Sequence, residues 1–216
     1  MTDDTAEATE GTRPDGKPWV HPLTRAAWRA WLIANHATSG GVHLVTWRKA
    51  TGRPAVGYGE AVEEALCVGW VDSIAGKLDP ERSTLWFTKR RPKSGWSRPN
   101  KERVERLIAS GLMMPAGLAA IEEAKRRGTW SLLDAVEDLV VPDDLAAALA
   151  ANPPARANWE AFSRSGRRGI LEWIIPAKRP ETRARRVAET AELAARNEKA
   201  NQWVPLDQRT AKPEST

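Results

Sequence analysis

Cysteine is nearly missing: Cys67 stands alone among 216 residues, so no intramolecular disulfide can form and no thiolate cluster can hold zinc or an iron–sulfur centre. A reducing compartment is the simpler expectation. The three histidines, His21, His36 and His43, show neither H-x-x-x-H nor H-E-x-x-H spacing, and the chain contains no G-x-S-x-G elbow and no G-x-x-x-x-G-K phosphate loop. Metal-dependent and nucleophilic chemistry gain no support, and no metal or cofactor is expected. No stretch approaches the roughly 18 apolar residues that cross a bilayer, and the N-terminus has neither a basic nor an apolar signal region. These absences predict a cytoplasmic protein without membrane insertion.

Tyrosine and phenylalanine are scarce as well, at one and two residues, whereas there are eleven tryptophans. Most of these indoles fall on apolar helix or strand faces, where they serve as bulky core residues. The net charge of +5 hides an asymmetry, because residues 2–16 hold Asp3, Asp4, Glu7, Glu10 and Asp15 against Arg13 alone. The rest of the chain is more basic than the total.

Periodicity divides the chain into residues 1–17, a disordered acidic lead-in; 18–128, an α+β domain; 129–141, a linker; 142–203, a helical module; and 204–216, a disordered tail. Thr24 caps a first helix, residues 42–48 read as an interior strand with apolar residues on both faces, and 59–68 form a second helix closed by Gly69. Residues 70–75 and 84–90 then form an antiparallel hairpin, followed by helices near 101–110 and 115–127. Later segments carry only helical periodicity, including a last helix with Ala184, Val187, Ala188, Ala191 and Ala194 on one side. The expected fold class is α+β, a small mostly antiparallel sheet packed with helices and followed by a C-terminal helical module.

The stretch 68–100 is the richest in chemistry. Asp72 shares a strand face with Trp70 and Ile74 unless the strand bulges, so its carboxylate needs a partner, with Lys89, Arg90 and Arg91 the nearest in sequence. Between Arg82 and Arg106 nine basic residues stand against Glu102 and Glu105 alone. The loop Lys93, Ser94, Gly95, Trp96, Ser97 leads into a helix whose first amides lack partners, an arrangement suited to phosphate or carboxylate. Equally, Ser97 caps that helix and the cations form a solvated face. The candidate ligand site is Trp70, Asp72, Ser73, Arg90, Lys93, Ser94, Trp96, Ser97 and Asn100. A second basic group, Lys178, Arg179, Arg183 and Arg186, forms a helical stripe that either grips phosphates or pairs with neighbouring glutamates.

Three motifs, E-A-V-E-E-A-L-C-V-G-W-V-D-S at 60–73, F-T-K-R-R-P-K-S-G-W-S-R-P-N-K at 87–101 and A-K-R-P-E-T-R-A-R-R at 177–186, resemble the YdeI/OmpD-associated (bacteriocin-protection) family. The resemblance implies a mixed α/β N-terminal region, a helical C-terminal module and an association with protection against bacteriocins or antimicrobial peptides. It supplies no catalytic residues. The first expectation is a non-catalytic protection or stress protein binding a small anion. A nucleic-acid binder using both basic groups with Trp96 as a stacking face is the alternative, and an enzyme with Asp72 as acid or base a third.

Overall fold

The acidic lead-in is structured in its second half. Residues 9–12, assigned above to disorder, form β1 (Thr9–Thr12), which pairs antiparallel with β2 (Pro18–His21). Long-range partners outweigh the polar local composition: the Trp31 indole donates to the Glu10 carboxylate at 2.6 Å, and Arg13 Nη1 donates to the Lys77 carbonyl at 3.2 Å. The computed structural model describes residues 8–201; the first seven residues and the tail at 204–216 lie outside them.

Two units make up the chain, Met1–Ser131 and Leu132–Thr216. The first holds α1 (Arg25–Asn35), β3 (Val42–Trp47), α2 (Tyr58–Cys67), β4 (Trp70–Lys77), β5 (Arg82–Lys89), α3 (Arg98–Ala109) and α4 (Pro115–Arg126). Its five strands run in the order β1-β2-β3-β5-β4, antiparallel except for the parallel pair β2 and β3. The α+β architecture with a mostly antiparallel sheet therefore holds. Val42 and Leu44 of β3 pack with Trp28, Leu32, Val62, Leu66, Trp70 and Phe87 into one core, while His43 and Val45 point to the opposite face. That alternation is why an interior strand was legible.

On the face opposite the core, His21 lies edge-on to Trp47 at 4.9 Å and His43 to Trp86 at 4.7 Å. Both imidazoles are buried, and neither ring nitrogen of His43 has a hydrogen-bond partner among the described residues. Burial lowers both pKa values below 6.5; Arg82 lowers His21 further against Asp79, and Arg13 and Lys17 lower His43 against Asp15. The unfolded chain thus binds more protons than the native one just below pH 6.5, so stability must fall as pH drops through that window. Denaturant melts at pH 7 and pH 5 should show this loss, and His43→Gln should reduce it. An unchanged midpoint in the parent protein would contradict the assignment.

The second unit contains α5 (Asp134–Glu137), α6 (Asp143–Ala150), α7 (Pro153–Ala161), α8 (Arg164–Ile174) and α9 (Pro180–Ala195). Residues 129–141 are consequently not a bare linker, because α5 lies within them and buries Leu133 and Val136 in this unit's core. There Leu145, Leu149, Trp159, Phe162, Ile170, Leu171, Ile174 and Val187 pack together. α9 buries Val187, Thr190, Ala191 and Ala194, whereas Ala184 and Ala188 are exposed. Its apolar stripe is rotated from the one its alanines trace.

Candidate functional site around Arg90

β4 carries Trp70 and Asp72 on the sheet's edge. Pairing with β5 breaks register between Asp72 and Ala75, so the bulge at Ser73 and Ile74 interrupts the period of two and leaves Ile74 69% exposed. Asp72 is half-buried and accepts from the Tyr58 hydroxyl at 3.1 Å; none of the three cations proposed as its partner hydrogen-bonds to it. Trp70 is fully buried in the core and donates its indole N–H to the His36 carbonyl at 3.2 Å. It serves packing, not a ligand.

Arg90 follows β5 directly. Its amide donates to the Gly69 carbonyl at 3.0 Å, and Gly69 sits at φ +75°, where an added Cβ would lie 2.9 Å from the Ala116 carbonyl oxygen. Glycine is therefore required at the turn that holds Arg90 in place. The Arg90 guanidinium lies 3.9 Å over the ring of Trp96, and its Nη2 donates to the Gly95 carbonyl. Its Nε and Nη1 are buried without a hydrogen-bond partner among the described residues. Desolvation pushes its pKa down to about 10, with Asp72 acting in the opposite sense.

A cavity of about 50 Å³ opens beside this guanidinium, lined by Arg90, Arg91, Ser94, Trp96, Glu123 and Thr129 among others. At about 10–15 Å³ per water it holds three to five of them, the scale of one inorganic oxyanion rather than a nucleotide. Glu123 brings negative charge, yet Arg126 and Arg127 both pair with it. Trp96 is 1% exposed and rests against Trp130, ring centroids 5.0 Å apart, so it is a wall of the cavity and not the stacking face expected from the sequence.

Of the sequence-derived site, Arg90, Ser94 and Trp96 converge on this cavity. The others do not line it. Ser73 and Lys93 are exposed, Ser97 precedes α3 without a side-chain cap bond, and Asn100 accepts from Arg103 at 3.0 Å. Glu123 and Thr129 were missed because they come from the last turns of α4 and the segment just after it, more than thirty residues from Arg90 in sequence. No local pattern announces them; Gly128, which ends the helix, was the one signal nearby.

The second basic group is largely committed to its own unit. Arg183 meets both oxygens of Asp144 at 2.5 and 3.0 Å, holding that carboxyl below its usual range, and Arg186 donates to the Trp173 carbonyl with its guanidinium 4.9 Å from that ring. Lys178 and Arg179 remain exposed. Among the described residues no glutamate pairs with this stripe; the nearby Arg185 meets Glu189 at 4.0 Å. Elsewhere, no three His, Cys, Asp or Glu side chains converge among the described residues, and no helix among them is long and apolar enough to cross a membrane.

Comparison with known families separates the two units. Residues 20–120 match a domain of unknown function (DUF8412). Residues 138–197 match the family Bacteriocin-protection, YdeI or OmpD-Associated. That bacteriocin-protection match covers part of the chain, and within it lies the motif A-K-R-P-E-T-R-A-R-R. The motifs at 60–73 and 87–101, which carried the same resemblance, fall instead in the segment matched by the domain of unknown function. The Arg90 cavity is thus outside the bacteriocin-protection segment. Neither curated proteins nor solved structures gave a match.

Proposed function

We propose that this chain is a non-catalytic cytoplasmic protection or stress protein that binds a small oxyanion, such as phosphate or sulfate, at the Arg90 cavity. One observation carries the reading: a guanidinium with two buried nitrogens that have no hydrogen-bond partner among the described residues. An arginine whose pKa desolvation pushes down to about 10 carries a burden on the order of 2–3 kcal/mol after allowance for its partial exposure. Folds seldom leave such a cost unrelieved, and an anion accepting from Nε or from Nη1 relieves part of it. The Ser94 hydroxyl and the Arg91 charge at the cavity support the same polarity of ligand. The protective role itself rests on the match of the helical unit to the bacteriocin-protection family.

Nucleic acid becomes the weaker reading. Its stacking platform, Trp96, is interior, and Arg183 and Arg186 are engaged within the fold. A thermal melt of the whole chain against phosphate, sulfate and chloride tests the proposal. Phosphate or sulfate should raise the midpoint in a concentration-dependent manner, as binding to the native state alone requires, with chloride at equal ionic strength without effect. Arg90→Lys, which keeps the charge but loses the fork, should weaken the response about tenfold. Equal responses to all three salts would defeat the reading.

A further inference from the structure

We infer that the helical unit contains a second, independent ligand site, one that takes a small apolar molecule bearing a single carboxylate. A cavity of about 440 Å³ lies among α6, α7 and α8, within the size range of small-molecule pockets. Its floor is apolar, built from Leu149 and Trp159, each 4% exposed, with Val141, Ala146 and Ala150 beside them. Two arginines and one glutamate complete the lining. Arg156 and Glu160 pair with each other at 3.1 Å one helical turn apart, so their charges cancel locally. Arg167 is different.

Its Nε is buried with no hydrogen-bond partner, and its guanidinium forms no ion pair among the described residues. The neighbouring Arg168 takes the carboxylates of Glu137 and Glu172, at 2.9 and 3.1 Å, which leaves none of that charge for Arg167. A pocket with a greasy floor and one unmatched cation selects an amphipathic monoanion: the hydrocarbon or aromatic body covers Leu149 and Trp159, and the carboxylate meets Arg167 in a charge-assisted bond. A neutral molecule of the same shape leaves Arg167 unsatisfied. A compact inorganic anion leaves the floor bare. This site lies outside the unit holding Arg90, so the two readings stand or fall separately.

Calorimetric titration of the full chain with octanoate and with octanol tests it. Octanoate should bind and octanol should bind at least about tenfold more weakly, the difference expected for one charge-assisted hydrogen bond. Arg167→Met should remove that difference while leaving octanol unchanged, and Ala146→Phe, which fills the pocket from an exposed position, should abolish both. Arg90→Lys should leave octanoate untouched. Absence of octanoate binding, parity between octanoate and octanol, or full octanoate affinity in Arg167→Met would each overturn the assignment, as would loss of octanoate binding in Arg90→Lys.

Discussion

Replacing Glu64 with alanine should lower the stability of the first unit by about 2–3 kcal/mol. Glu64 is 3% exposed on α2 and its two oxygens accept from Arg25 Nε and Arg29 Nη1 of α1, each at 2.6 Å. The two arginines stand one turn apart, so a single carboxylate fastens the whole inner face of α1 to α2. Breaking a buried pair from one side usually costs about 3–5 kcal/mol, since the surviving charge is left behind. Here the loss is smaller. The arginine side chains are 36% and 30% exposed, and each keeps another acceptor: Glu63 for Arg25 at 3.1 Å, the Leu112 carbonyl for Arg29 at 3.0 Å. Glu64→Gln, which preserves shape and one acceptor, should cost roughly half as much. Midpoints from chemical denaturation would show it, and a Glu64→Ala protein as stable as the parent would mean that α1 is held by its apolar face alone.

Gly117→Ala should be nearly as damaging, against the usual helix rule. Alanine in a helix interior is ordinarily better than glycine by about 1 kcal/mol. At this position on α4, however, a Cβ would stand 2.3 Å from the Cys67 carbonyl oxygen and 2.7 Å from Met113 Cε. The methionine can swing aside, but the carbonyl belongs to the end of α2 and also accepts from the Met114 amide at 3.0 Å. α4 must therefore shift, at a net cost of about 2–3 kcal/mol for overpacking. Gly59→Ala on α2 is the matched control, because nothing lies within 4 Å of its added Cβ. That variant should be neutral or gain up to about 1 kcal/mol. Since α4 also contributes Ala120, Glu123 and Ala124 to the Arg90 cavity, Gly117→Ala should weaken anion binding too, whereas Gly59→Ala should not.

The elements that could be read from the residues are those whose cause is local. Thr24 caps α1 by accepting from the Ala27 amide at 3.1 Å, as its position before an apolar stripe implied. The hairpin of β4 and β5 follows from two β-rich runs around a turn, and in it Asp79 accepts from the Glu81 and Arg82 amides at 3.0 and 2.8 Å. What escaped was set by distant partners. β1 looks disordered because its stabilising contacts come from Trp31 and the sheet. The partner of Arg183 escaped because Asp144 lies 39 residues earlier. Asp72 changed its surroundings through a bulge that spacing alone cannot announce.

The same logic divides the candidate site. Arg90, Ser94 and Trp96 could be grouped because six residues of loop bring them together. Which way the indole faced depended on Trp130 and α4, and it turned inward to stack beneath Arg90. A stacking face for bases became instead the apolar bed that desolvates a guanidinium. That inversion favours a small oxyanion over a polymer as the ligand.

Selenate provides the most direct test of this central claim, since it mimics sulfate and scatters anomalously. Crystals of the chain soaked in selenate should show an anomalous peak in the cavity lined by Arg90, Ser94 and Thr129, within hydrogen-bonding reach of Arg90 Nε or Nη1. Peaks confined to exposed lysines and arginines, with Arg90 Nε and Nη1 still lacking an acceptor, would contradict it.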